Sequence, residues 1–390
     1  MSEWKEYKLG EIAEITPGFA FKSKDFGPTG ELVVKIKDII PPYIDLSNSD
    51  RVDLANYDLN KLKKYLLSEG DYVVAMTGAT IGKVGKMKTH QKAFLNQRVA
   101  KIKAKDGFCD DFVYYSISGN DFQTFIQNNI DSNSAQENIS ANSIARFPVI
   151  LPSLDEQHRI ASILTSLDDK IDLLRRENAT LEAMAETLFR QWFVVEAKEE
   201  WKEGGISDLI EFNPTRKLAK DAVVPFLEMS NLSTSIYAPT YWYNRAFSSG
   251  SKFRNGDTLL ARITPCLENG KTAYIDFLNE NQIAWGSTEF IVMHSKLGLH
   301  SFFSYVIAKF QDFRDYAESC MSGSSGRQRV DVENLKNYPI LIPDESTIEK
   351  FNNKIETVVC KMHNNNVQIQ TLIQTRDGLL PKLMSHEIKL

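Results

Sequence analysis

The sequence predicts an α+β protein built as two similar α/β globules separated by two long helices, which form an antiparallel coiled coil within a pseudo-two-fold internal repeat. Three observations predict this class. The first is the repeat itself. Trp4-Lys5-Glu6, followed by Leu9, Glu11, Ile12, Glu14, Ile15 and Pro17, returns 197 residues later as Trp201-Lys202-Glu203, followed by Ile206, Asp208, Leu209, Glu211, Phe212 and Pro214. FPVILPSLDEQ (147–157) returns after 191 residues as YPILIPDESTI (338–348). Between these edges Gly70-Asp71 answers Gly256-Asp257, and NSAQENISANSI (133–144) answers SSGRQRVDVENL (324–335). So long a period excludes a solenoid and reads as one duplicated unit whose middle has drifted.

The second observation is a heptad stripe. After Pro152 the chain carries no Gly or Pro until Gly204, and its apolar residues fall at Ile160, Leu164, Leu167, Ile171, Leu174, Leu181, Ala185, Leu188 and Trp192, with Asn178 as the polar member. Steps alternating between three and four residues describe a coiled-coil seam. The second copy gives Phe351, Ile355, Val358, Met362, Asn365, Ile369, Leu372, Arg376, Leu379 and Leu383, in which Asn365 is polar and Arg376 breaks the pattern. Pro152 and Pro343 mark the starts, with Ser153 and Asp344 able to cap. The two stripes are expected to pack on each other and act as a spacer.

The third observation is the mixed character of the first 150 residues of each half. Strand-like runs (31–36, 71–76, 99–102; 258–262, 289–293) alternate with Gly, Asn and Pro turns, and each half has one aromatic-rich helical stretch (112–126; 302–316). These describe a compact globule with a partly antiparallel sheet. The divisions expected are 1–150, 151–196, 197–341 and 342–390.

Composition bounds the function. A chain of 390 residues, 42% hydrophobic, can bury two or more cores. No apolar run reaches bilayer length, and MSEWKEYKLG carries no apolar signal segment, so a cytoplasmic protein is expected. Four scattered cysteines without a CxxC pair point to free thiols. The net charge of −5 gives no global sign of nucleic acid, but from Lys61 to Lys105 ten lysines and Arg98 face only Glu69 and Asp71. A solvated lysine face and a phosphate-tracking surface would both look like this.

Three near-motifs for catalysis fail. GATIGKV (78–84) has three residues between its glycines where a phosphate-binding loop needs four, and Val84 replaces the magnesium-binding hydroxyl. IPPY (40–43) resembles the tetrapeptide with which amino-methyltransferases grip a flipped base, but Ile40 cannot accept a hydrogen bond. The six histidines show no HxxxH spacing and no nucleophile partner.

The order and duplication of these strings resemble the specificity (S) subunits of type I restriction–modification systems, over essentially the whole chain. The carriers are WKEYKLGEIAEI (4–15), GDYVVAMTGATIGKVG (70–85), GSTEFIV (286–292), SGSSGRQR (322–329), and LPSLDEQHRIASILTSLDDKIDLL (151–174) followed by LFRQWF (188–193). The second copy departs from the family pattern, because IPDESTIEKF lacks the run kept at Glu156, Gln157 and Ile160. The resemblance implies two target recognition domains (1–150 and 197–341), each followed by a helical spacer and each reading one half of an asymmetric, bipartite double-stranded DNA site. It implies two methyltransferase (M) subunits docked along the helices, carrying S-adenosylmethionine and methylating adenines. Motor-nuclease (R) subunits would bring ATP and magnesium. The chain itself would hold no catalytic residue, cofactor or metal, and would touch no membrane.

Base reading in the major groove needs Arg or Lys for guanine and Asn or Gln for adenine, presented on loops. The candidates are Lys83, Lys86, Lys88, Gln91, Asn96 and Gln97, with the loop of Asn133, Ser134 and Gln136. In the second copy they are Arg262, Thr264, Asn269, Lys271, Ser287 and Thr288, with Arg327, Gln328 and Arg329. Two rivals are a self-contained modification enzyme, whose motifs are missing, and a coiled-coil adaptor without DNA specificity of its own.

Overall fold

The computed structural model describes residues 4–130, 137–239, 241–296, 298–324, 326–388 and 390, and divides into two units, Met1–Asp169 with Ile373–Leu390, and Lys170–Leu372. Among the described residues, the first unit holds a six-stranded sheet in the order Ala13–Pro17, Val99–Ala104, Tyr72–Ala75, Val84–Lys86, Tyr43–Ile44, Ile39–Ile40. A five-stranded sheet contains Glu31–Val34 paired parallel with Ala93–Leu95. A ribbon of Lys5–Lys8 against Pro148–Leu151 ties the start of the unit to the strand that precedes the first long helix.

The second unit repeats the plan in shorter form. One sheet orders Ile210–Phe212, Phe290–Ser295, Asp257–Ala261, Thr272–Tyr274, and another holds Val223–Leu227 parallel to Ala284–Gly286. Lys202–Gly205 pairs with Pro339–Ile342 as the matching ribbon. Even single hydrogen bonds recur, since Leu9 N donates to Phe147 O and Ile206 N to Tyr338 O, both at 2.8 Å.

Each expected aromatic helix is two helices. Asp110–Ser118 and Asn120–Asn128 are separated by Gly119, and Phe303–Lys309 and Gln311–Ser319 by Phe310, each in extended conformation. One extended residue redirects the chain so that both short helices lay apolar faces, Phe112 and Phe122 or Phe303 and Phe313, on their sheet.

The long helices run Leu154–Phe189 and Glu345–Met384, the first continuing as a π-helical turn, Arg190–Val195. Ser153 and Asp344 cap them: Ser153 Oγ accepts from Glu156 N at 3.4 Å and Asp344 Oδ1 from Thr347 N at 2.8 Å. Within the second unit they are antiparallel, with Glu177 against Lys361 (3.3 Å) and Phe193 against Phe351 (ring centroids 5.1 Å). Ile160, Leu164, Ile171, Leu174, Phe351, Ile355, Val358, Met362 and Ile369 are buried. Leu167, Leu181, Leu188, Leu372 and Leu379 are half-buried, and on the first helix the adjacent Asp168, Glu182 and Phe189 are buried instead. The two polar seam residues meet: Asn365 Nδ2 donates to Asn178 Oδ1 at 2.9 Å. Arg376 has its reason in the first unit, where it donates to the buried Asp168 at 2.8 Å while Tyr115 Oη donates to the other carboxylate oxygen at 2.7 Å. Gln157 spans from Pro152 O (3.0 Å) to Cys109 N (3.1 Å), fixing the helix start to the globule. Its counterpart in the second copy is Ile348, which offers no such bridge.

Candidate nucleic-acid interface

In the second unit three segments converge where Asp257–Ala261 runs out into the 262–271 loop. Arg262 N donates to Glu289 O (3.0 Å), Val330 N to Arg262 O (2.9 Å) and Thr264 N to Gln328 O (3.1 Å), and Ile263 bridges Arg329. These bonds tie the three segments into one frame at this end of the sheet. Asn269, Thr288, Arg327 and Arg329 are exposed, and Arg262, Thr264, Lys271, Ser287 and Gln328 are half-buried. Some are engaged within the protein. Lys271 Nζ donates to Met229 O (2.8 Å), Arg262 Nη2 to Val330 O (3.2 Å), and Ser287 Oγ accepts from Glu289 N (3.1 Å).

The first unit builds the same frame from different residues. Met76 N donates to Arg98 O (2.9 Å), Ile139 N to Met76 O (3.0 Å) and Gly78 N to Glu137 O (3.0 Å), and Thr77 bridges Asn138. Lys83, Gln97 and Arg98 are exposed at this end and Asn96 is half-buried. Asn133, Ser134 and Gln136 lie outside the described residues. Lys86, Lys88 and Gln91 belong to the opposite end of the sheet, since Lys86 pairs with Tyr72, the first residue of Tyr72–Ala75. Lys86 contacts Asp111 (2.7 Å) and Lys88 contacts Asp169 (2.5 Å), so these ammonium groups tie sheet to helix. Gln91 is exposed in the turn that follows.

Each loop is braced from behind by a helix side chain that the sequence reading did not single out. Gln123 Nε2 donates to Gly82 O (2.6 Å), and Arg314 Nη2 donates to Leu267 O (3.1 Å) and Glu268 O (3.0 Å). Gly82 (φ 80°) and Gly270 (φ 77°) adopt the left-handed conformation that lets these loops turn. Gln123 and Arg314 are 191 residues apart, so the offset of the repeat was the available signal. Glu289 was also missed. It grips Arg329 through both carboxylate oxygens, and the Arg329 guanidinium holds its carboxyl below the usual glutamate range. Among the described residues no group of three or more His, Cys, Asp or Glu side chains is placed to hold a metal, and no helix is long and apolar enough to cross a membrane. The arrangement offers hydrogen-bond donors and acceptors on two braced rims, which is chemistry for recognition.

The family model described as "Type I restriction modification DNA specificity domain" matches residues 1–183 and again 198–371. The chain belongs to this family. It is 22% identical to the type I restriction enzyme MjaIX specificity subunit of Methanocaldococcus jannaschii, over 99% of this chain and 94% of the relative. It is 23% identical to the HindI specificity subunit of Haemophilus influenzae over the full length of both. The crystal structure of the type I restriction–modification S subunit from M. genitalium shares the fold, with a TM-score of 0.53 at 16% identity, over 98% of this chain and 96% of that one. The chain is thus a specificity subunit, the non-catalytic component of a type I restriction–modification system, and its two family matches coincide with the two copies of the repeat.

Proposed function

We propose that this specificity subunit reads a bipartite, asymmetric DNA site, one half with each of the two rims, and positions adenine-methylating M subunits and motor-nuclease R subunits on it. The observation that carries the reading is one hydrogen-bonded frame built twice with different side chains at its edge. Asn96-Gln97-Arg98 stands in the first rim where Ser287-Thr288-Glu289 stands in the second. A repeated frame with unlike edges suits two unlike half-sites, since phosphate contacts position a protein and base-edge contacts specify sequence. S-adenosylmethionine, ATP and magnesium would be bound by the partner subunits, and the complex would work in the cytoplasm. Mapping methylated adenines genome-wide with and without this gene tests the proposal. One bipartite motif should vanish with the gene, and an unchanged methylation map would reject the reading.

A further inference from the structure

Glu289 and Arg329 make a side-chain pair whose geometry says more than that a rim is polar. Arg329 Nε donates to both carboxylate oxygens, at 3.0 and 2.9 Å, and Nη2 donates to Oε1 at 2.7 Å. A guanidinium has five N–H donors in two bidentate edges, one formed by Nε and Nη2 and one by Nη1 and Nη2. Glu289 occupies the first edge. Among the described residues nothing accepts from Nη1, so the second edge points two parallel donors away from the carboxylate. Both partners are anchored, Arg329 by its bridge to Ile263 and Glu289 through its carbonyl to Arg262 N and its amide to Ser287 Oγ. The Arg329 side chain keeps 46% of its surface exposed.

We propose that Arg329, held by Glu289 as a positioning residue, reads one guanine in the half-site assigned to the second unit. This rests on the reading given under Proposed function. Two parallel donors match only guanine among the major-groove edges, where O6 and N7 are adjacent acceptors. The pair also disfavours the alternative ligand, a backbone phosphate. An arginine neutralised by a carboxylate has no net charge with which to attract a phosphate, and the carboxylate repels it. An uncharged base edge meets no such repulsion. The first unit carries Arg98 at the place of Glu289 and Asn138 at the place of Arg329, so the corresponding base pair is read there by a different pair.

The test uses the full chain assembled with its M subunits. Methylated-adenine maps are made for the unmodified chain, for Arg329→Ala, Arg329→Lys and Glu289→Gln, and for a chain whose residues 197–341 are exchanged for those of another family member. The exchange identifies the half-site of the second unit, and if it leaves the motif unchanged the underlying two-half reading falls. Given that assignment, Arg329→Ala and Arg329→Lys are expected to relax a single G·C position in that half by roughly tenfold or more. Glu289→Gln is expected to relax the same position less. Continued methylation at the rest of the motif shows that the variants fold. Binding to an oligonucleotide with 7-deazaguanine at that position, which lacks N7, is expected to weaken roughly tenfold for the unmodified chain and not for Arg329→Ala. An unchanged motif, an even loss over all sequences, or an equal 7-deazaguanine effect in both proteins would overturn the assignment.

Discussion

The aspartate after the tight turn in each unit shows one backbone frame carrying two different chemistries. Asp71 accepts from Ser68 N at 2.9 Å and Asp257 from Arg254 N at 2.8 Å, each behind a glycine with φ near 85° (Gly70 88°, Gly256 83°). The amides of Gly70 and Gly256 both donate at 2.8 Å, to Met87 O and Ile275 O, each one residue past a hairpin strand, Val84–Lys86 or Thr272–Tyr274. Around this shared turn the side chains part company. Asp257 is fully buried and takes two contacts from Arg216 Nη2 (2.5 and 2.6 Å) and one from His294 Nδ1 (2.8 Å). Asp71 is half-buried with Lys101 at 3.8 Å. Duplication kept the turn and its backbone bonds and let the surrounding side chains diverge.

That contrast is sharpest in stability. Asp257→Asn leaves Arg216 as a buried cation without its carboxylate and is expected to cost about 3–5 kcal/mol. Asp71→Asn, with a longer and wetter pair, is expected to cost at most about 1 kcal/mol. Denaturant unfolding of both variants measures the difference, and equal losses would contradict it.

A second comparison sets the seam of one unit against that of the other. Arg376→Met strands the buried Asp168 in the first unit and should cost about 3 kcal/mol or more. In the second unit Asn365→Ala leaves Asn178 Oδ1 without its donor and should cost about 1–3 kcal/mol. The double change Asn178→Leu with Asn365→Leu should be near neutral in stability but loosen helix register, as polar seam residues do when removed. Thermal melts test the first two, and cysteine cross-linking along the helices tests the third.

The smallest effect concerns the helix starts. Asp344 is held well below the usual carboxylate range, first by Lys198 and then by its bonds to Thr347 and Trp201. A lowered folded pKa means stability that is complete at neutral pH and fades as pH falls through the acid range. Asp344→Ala should therefore lower the melting temperature at pH 7 more than Ser153→Ala does, and the gap should close in acid. A gap that persists in acid would mean that charge is not the cause.

How much of this was legible depends on the range of each signal. The two heptad stripes, Ser153 and Asp344 were readable because heptad periodicity and capping are local in sequence, and the repeat because its two copies keep the same residues at nearly the same offset. The inner places of Asp168 and Phe189 were not, because a helix followed over five heptads drifts from a strict seven-residue stripe, and partners such as Arg376 and Tyr115 decide which side turns inward. Strands of two or three residues, such as Leu66–Leu67 and Tyr43–Ile44, are too short for alternation to register. The site candidates were legible as loop polarity alone. Lys86 and Lys88 looked equivalent to Lys83, and only strand pairing shows that they sit at the other end of the sheet.

Under the proposed function, two units with one frame read different DNA halves independently. That independence is tested most directly by a chain in which residues 197–341 are replaced by residues 1–150, followed by sequencing of the methylated DNA. The expected motif carries the first half-site twice, with the second half-site lost. A motif that keeps the original second half-site, or one altered in both halves, would contradict it.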